Sequence, residues 1–174
     1  KSTITELLLY LLGDYATTIS PESLAIKANK DSRTASPDIA KLAGTRFVVA
    51  SEPPRRMLFD SSLVKTLTGR DTVSARFLHE NEFQFKTKFK LILNSNYLPV
   101  ISDKTVFSSN RVKVVPFERH FTEKEQNKHL KEQLQQEIDG ILNWCIKGLQ
   151  LYRKEGLEPP LAVQNATHEY SEDS

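Results

Sequence analysis

The sequence predicts an α/β protein, and three observations carry that expectation. The runs 46–52 and 90–94 are apolar, contain Phe, Val or Ile, and are too short for ordinary helices, so each reads as a buried strand. Each then breaks into polar residues and proline, Glu52-Pro53-Pro54 after the first and Asn94-Ser95-Asn96-Tyr97-Leu98-Pro99 at the second. Elsewhere apolar residues recur at helical spacing, first at Ile4, Leu7, Leu8, Leu11 and Leu12 and later at Ile138, Ile141, Leu142, Cys145 and Leu149. Open α/β sheets bind ligands at the carboxyl ends of their strands, which singles out Glu52 and the asparagines.

In chain order, a first helix is predicted over 3–12, ended by Gly13. Residues 16–38 turn to Ser, Thr, Lys, Asn, Asp and Pro and read as loop, with one short helix after Ser20-Pro21-Glu22 and a flexible surface stretch over 28–37. Asp38 is expected to cap a helical turn through Leu42 that Gly44 closes. After the strand 46–52, Asp60 or Ser61 caps a helix over 59–67, and Thr68-Gly69 ends it. A hairpin follows, with one strand over 72–78, a polar tip at His79-Glu80-Asn81, and a return over 82–90. On the return Phe83, Phe85 and Phe89 alternate with Gln84, Lys86, Lys88 and Lys90, giving one aromatic and one basic face.

Residues 100–109 read as irregular, and 110–117 as a third β-type run with Val112 and Val114 inward. The last third is helical. Thr122-Glu123-Lys124-Glu125 is a capping box that opens a charged helix to about residue 136. A second helix over 137–155 closes at Gly156, with Cys145 on its apolar stripe as a packed core thiol, and a short segment over 161–170 follows Pro159-Pro160.

The length of 174 residues suits one domain with a real core. No apolar run approaches the roughly 20 residues of a membrane-spanning helix. With 24 basic and 22 acidic residues the net charge is only +2, so any nucleic-acid-binding surface has to be local. One cysteine excludes an internal disulfide framework and fits a reducing cytosol. The four histidines, His79, His120, His129 and His168, lack metal-ligand spacing.

Four places carry chemistry. Lys1-Ser2-Thr3 leads directly into a helix, which is how a phosphate-binding P-loop ends, although its glycines are not among these residues. Glu52 is a carboxylate at a strand end, the position from which a nucleotide-hydrolysing enzyme holds Mg²⁺ or orients water, and equally an ordinary solvated terminus. Asn94 and Asn96 both offer an amide at a strand's mouth to sense a phosphate or a water. Arg111 is either a surface ion-pair residue or a planar guanidinium for phosphate charge. The lysines of the hairpin either face water or follow a nucleic-acid backbone.

In this order the pieces resemble the superfamily 3 helicase domain of phage and plasmid primases, related to the poxvirus-type primase NTPases. Lys1-Ser2-Thr3 looks like the tail of Walker A, 46–52 like Walker B, and 91–99 like motif C with Asn96 at the sensor position. Leu63-Val64-Lys65-Thr66-Leu67-Thr68-Gly69-Arg70-Asp71 and Ala75-Arg76-Phe77-Leu78 resemble the segment between those motifs. Asn110-Arg111 before Pro116-Phe117 looks like an arginine-finger element, and Ala166-Thr167-His168-Glu169-Tyr170 is similar to the family's closing segment.

The resemblance implies a P-loop NTPase of the AAA+-like type. Its core, 1–121, would be an N-terminally truncated parallel sheet with a β-hairpin insertion, and a C-terminal helical segment, 122–174, would pack on it. It implies ATP and Mg²⁺ as cofactors, with Lys1, Ser2 and Thr3 at the nucleotide, Ser2 and Glu52 at the metal, Asn96 as γ-phosphate sensor, and Arg111 acting from a neighbouring subunit. Single-stranded DNA would run past a hairpin carrying His79, Lys86 and Lys88, inside a homo-oligomeric, hexameric ring in the cytoplasm of a bacterial host, phage or plasmid encoded. Because the chain opens within the P-loop, residues 1–174 alone are expected to bind ATP poorly, and saturable micromolar binding would contradict that. The alternative is a DNA-binding or assembly module whose ATP site is degenerate or missing. Gly-x-x-x-x-Gly immediately before Lys1 would decide for the ATPase. A P-loop kinase or transferase would leave the hairpin without a purpose.

Overall fold

The structure, a computed structural model, describes residues 1–26 and 36–173. Its centre is a parallel three-stranded sheet of β1 (Ala16–Thr18), β2 (Phe47–Ser51) and β5 (Lys90–Asn94), with β2 in the middle. Phe47, Val48, Val49 and Ala50 are all buried, as expected of a strand covered on both faces. Its register pairs Phe47 with Lys90 and Ser51 with Asn94, so both predicted strands end level at one edge. Unlike β2, β5 is only half-buried between Leu91 and Leu93. The mixed α/β expectation and the parallel sheet are therefore present.

Strand β1 corrects the reading of 16–38 as loop plus one short helix. Three residues are too few to show a period, and Thr17 and Thr18 become strand only by pairing with Val48 and Val49. The short helix is there, a 3-10 turn over Pro21–Leu24 that buries Leu24 completely. The stretch expected to be flexible lies largely in residues 27–35, outside the described residues. Helix α2 (Pro37–Ala40) starts from Ser36, with Pro37 in its first turn. Asp38 is thus inside the helix rather than its cap, and it accepts from Ser23 Oγ and pairs with Lys41 at 3.4 Å.

Helix α1 (Ser2–Leu12) and helix α3 (Ser61–Thr68) follow the predicted spans closely, and Asp60 caps α3 by accepting from the Leu63 N–H at 3.0 Å. Val64 and Leu67 bury the inner face of α3 in the core formed with Leu24, Leu42, Val48 and Val106. The hairpin is β3 (Thr72–Ala75) and β4 (Phe83–Lys86), antiparallel, pairing Val73 with Phe85 and Ala75 with Phe83. Val73 and Ala75 are buried, whereas Gln84 and Lys86 are exposed, so the alternation in the sequence is the two faces of this ribbon. Phe77 stacks on Phe83 with centroids 6.0 Å apart.

Four expectations fail in the second half. Residues 110–117 form no strand: Val112 and Val114 do face inward, but the Val114 N–H goes to Thr167 Oγ1 at 2.9 Å, and Pro116 has no donor for a ladder. Residues 100–109 contain a short helix, α4 (Thr105–Ser108). The capping box at 122–125 forms, with the Thr122 N–H and hydroxyl both donating to Glu125 Oε2 at 3.0 and 2.9 Å, yet it closes only a turn, and α5 starts later (Leu130–Gln136). Helix α6 (Ile138–Glu155) ends at Gly156 with φ 78, the left-handed geometry that favours glycine. None of its residues is buried, and Ile138, Ile141 and Cys145 form its half-buried stripe, so Cys145 is not a core thiol, and Trp144 is 73% exposed. Helix α7 (Leu161–Asp173) returns to the core through the buried Tyr170.

The Lys65 ammonium beside Asp103, helped by Thr105, pulls the Asp103 carboxyl from its ordinary value down to about 2. A carboxylate whose folded pKa is depressed adds stability above its unfolded pKa and loses it as pH falls through the folded value. Urea unfolding should therefore show stability falling between about pH 5 and pH 2. Lys65→Gln should flatten that slope, and an unchanged slope would exclude the pair as its source.

Candidate functional site

The carboxyl edge of the parallel sheet gathers three chain segments. Asn94, the last residue of β5, is buried and donates through Nδ2 to Thr5 Oγ1 of α1 at 2.7 Å, with Ser51 Oγ of β2 at 3.4 Å. The Glu52 N–H donates to the Asn94 carbonyl at 3.0 Å, carrying the pairing one residue past β2. Asn94 thus fastens α1, β2 and β5 together, which is the work of a satisfied buried amide.

Above that fastening sit the exposed groups. Lys1 precedes α1 and donates through Nζ to the Ser95 carbonyl and to Asn96 Oδ1. Lys1 and Asn96, 95 positions apart, therefore meet directly at the start of an 11-residue helix that has no acidic residue in its first turn. Unpaired N–H groups and the dipole at such a helix start favour an anion. Ser2 lies in the same first turn, its carbonyl accepting from Thr5 Oγ1 at 3.0 Å. Glu52 is exposed, with no side-chain hydrogen bond or ion pair among the described residues, and its φ of 57 is rare for a residue other than Gly, Asn or Asp. Such backbone costs of order 1 kcal/mol and clusters at functional sites. Four other non-glycine residues among those described share it, Arg56, Arg70, His79 at φ 62 and Asn110, just before Arg111, at φ 60.

The loops after β2 and β5 are joined by a contact the sequence reading missed: the Arg55 guanidinium lies over the Tyr97 ring, 4.2 Å from its centroid, and also donates to the Tyr97 hydroxyl. Arg55 is one of several loop arginines, and only the facing of two loops selects it. Thr5 was also missed, though it sits one helical turn beyond Ser2 and shares its side.

Not every selected residue joins this edge. Thr3 turns the other way and lines a shallow groove between α1 and α5 with Glu6, Leu7 and Lys131. Arg111 lies across the end of α3, donating through Nη1 to the Lys65 carbonyl at 3.2 Å and to Thr68 Oγ1 at 3.3 Å, as basic groups do at helix C-termini. Gly69 permits that approach, because a Cβ there would meet the Lys65 carbonyl at 2.8 Å and Arg111 Nη1 at 3.2 Å. His79 occupies the hairpin tip, and Lys86 and Lys88 are exposed along its return.

A nucleotide with Mg²⁺ suits the donor set at the sheet edge. Among the described residues no group of three or more His, Cys, Asp or Glu could hold a metal ion by itself. Mg²⁺ is held elsewhere by one or two carboxylates plus substrate phosphates, and Glu52 with the Ser2 hydroxyl could meet that requirement.

No family model matches the chain. Three viral proteins are similar to it. "Putative helicase L207/L206" of Acanthamoeba polyphaga mimivirus is 32% identical over 187 residues, covering 98% of this chain and 19% of the relative. "Putative helicase 022R" of Frog virus 3 (isolate Goorha) is 35% identical over 115 residues, 64% of this chain and 12% of the relative. "Putative helicase V13" of Sputnik virophage is 30% identical over 133 residues, 72% of this chain and 17% of the relative. Among solved structures, the apo C-terminal region of NrS-1 superposes with a TM-score of 0.52 at 16% identity, over 80% of this chain and 31% of that one, a likeness of fold.

The class this defines is a mixed α/β domain with a polar site at the carboxyl edge of a parallel sheet, similar in sequence to helicase-named viral proteins. The chain spans about a fifth or less of the length of those relatives. Their names agree with the helicase resemblance of the motifs, while their sources are a mimivirus, a frog virus and a virophage rather than the phages or plasmids it implied. No helix among the described residues is long and apolar enough to cross a membrane.

Proposed function

We propose that this chain is the nucleotide-hydrolysing part of a DNA helicase of the superfamily 3, primase-associated type. The observation that carries the reading is the direct meeting of Lys1 with Asn96 at the carboxyl edge of the parallel sheet, the edge where Glu52 follows β2 and donates its N–H to the Asn94 carbonyl. ATP with Mg²⁺ supplies the transferable phosphoryl group, and the chain's own residues position and stabilise it. Lys1 donates to phosphate oxygens in place of its contacts with Ser95 and Asn96. Ser2 and Glu52 hold the metal side, Glu52 orients the attacking water, and the Asn96 amide reports the γ-phosphate. Thr3 stays with the nucleotide segment only as part of the first turn.

Arg111, lying on α3 and away from this edge, acts on a neighbouring protomer's phosphate in a homo-oligomeric ring, which we take to be hexameric. Two units divide the work, a core over 1–121 and a helical segment over 122–174. The hairpin follows single-stranded DNA through His79, Lys86 and Lys88, its aromatic face being turned to the core.

In the native protein, Lys1→Ala should abolish DNA-stimulated ATPase activity, and wild-type turnover by that variant would overturn the proposal. Each lysine that neutralises a phosphate of single-stranded DNA contributes about 0.7 to the slope of log affinity against log salt. Lys86→Ala with Lys88→Ala should therefore reduce that slope by about 1.4 in a fluorescence-anisotropy titration. An unchanged slope would take the hairpin out of the DNA path.

A further inference from the structure

Helix α7 reaches the segment that follows the Asn96 loop through Tyr170, and is itself fixed by contacts to α4 and to Val114. Tyr170, 7% exposed, donates its hydroxyl to the carbonyl of the buried Pro99, three residues beyond Asn96. Its ring stands edge-on to Phe107 of α4, perpendicular, with centroids 5.1 Å apart. One turn earlier, Thr167 Oγ1 accepts from the Val114 N–H at 2.9 Å and donates to the Val163 carbonyl at 2.6 Å, so this end of α7 is itself fixed. On its other side the same segment is held by the Val100 N–H donating to the Met57 carbonyl at 2.8 Å.

The segment is thus clamped between the chain that follows Glu52 and the last helix. Residues 95–98 project from that clamp as the exposed or half-exposed mouth of β5. A loop whose tip contacts a ligand is only as well placed as its two roots. One root is Asn94, tied to Thr5 and Ser51. The other is Pro99, whose side of the loop includes the bond from Tyr170.

We infer that Tyr170 is a positioning residue for Asn96, holding the loop in the place from which the amide distinguishes a nucleoside triphosphate from a diphosphate. The hydroxyl, more than the ring, carries this role, because it is the group that bonds directly to the Pro99 carbonyl. The inference rests on the proposed nucleotide site and adds to it the last helix as a support for the sensor.

The test uses the native protein and measures affinity for a non-hydrolysable ATP analogue and for ADP, so it reads in variants that no longer turn over. Four variants are compared: Asn96→Ala, Tyr170→Phe, the two together, and Phe107→Leu, which loosens the same packing while keeping the hydroxyl. Tyr170→Phe is expected to lower the triphosphate-over-diphosphate preference about fivefold, the scale of one lost hydrogen bond. In the Asn96→Ala background the same change should cost less than about twofold, as for residues acting through one another. Phe107→Leu should lower the melting temperature at least as much and leave the preference near wild type. A preference untouched by Tyr170→Phe, a loss of equal size in both backgrounds, or an equal loss in Phe107→Leu would overturn the inference. If Asn96→Ala itself leaves the preference unchanged, the sensor assignment fails instead, and the two failures are told apart.

Discussion

Glu52→Gln in the native protein should lower DNA-stimulated ATP turnover on the order of 10³-fold while leaving nucleotide affinity close to wild type. The amide keeps the shape and the hydrogen-bonding reach of the carboxylate but cannot take a proton from water or match its charge at the metal. The folded chain should not notice the change. Glu52 is exposed, its side chain has no hydrogen bond or ion pair among the described residues, and what it gives the fold is its N–H, donated to Asn94 at 3.0 Å. Single-turnover hydrolysis and thermal melting of the same sample check both halves. Undiminished turnover would reduce Glu52 to a strand terminus in unusual backbone geometry, and turnover lost together with the fold would assign its value to that geometry.

Arg111→Ala should also lower turnover on the order of 10³-fold, as for an arginine finger in other nucleotide hydrolases. Here the fold supplies a competing account, since Arg111 already donates to the Lys65 carbonyl and Thr68 Oγ1 at the end of α3. Those exposed hydrogen bonds contribute about 1 kcal/mol, so a structural role predicts a shifted melting temperature and little else. A finger acting in trans predicts recovery on mixing. When Arg111→Ala protomers, with Glu52 intact, adjoin Glu52→Gln protomers, with Arg111 intact, some interfaces hold both groups, and part of the activity should return. No recovery in rings shown by mass to be mixed would remove Arg111 from the reaction.

The asparagines show how far sequence carries a site. From residue type alone Asn94 and Asn96 are equivalent, two amides at one strand's mouth, and the family resemblance chooses Asn96. The structure divides them. Asn94 is buried and spends its amide on Thr5 and Ser51, whereas Asn96 is exposed and meets Lys1. The difference is where the strand ends, since β5 stops at Asn94 and Asn96 lies in the bend beyond it, and an amide's chemistry does not encode that. Thr5 was hidden for a similar reason, because a threonine in a leucine-rich helix has no meaning until a strand end arrives opposite it. Tyr170 reads from sequence as part of a typical closing segment, and its bond to Pro99 spans 71 positions.

What the sequence by itself determined is local. The apolar runs made β2 and β5 strands, the Phe and Lys alternation made β4 a two-faced ribbon, Asp60 started α3, and Gly156 stopped α6, since in each case the deciding interactions lie within a few residues. Tertiary structure decided what depends on a distant partner. Thr17 and Thr18 became strand because β2 offered an open edge. Residues 110–117 stayed out of a sheet because the Val114 N–H found Thr167 instead. The capping box at 122–125 formed its local bonds and still opened no long helix, since a helix lasts where an apolar face is buried, and residues 123–129 are all exposed. The candidate site belongs to the second kind: its residues come from three elements, and only the parallel register of β2 and β5 brings their ends to one edge.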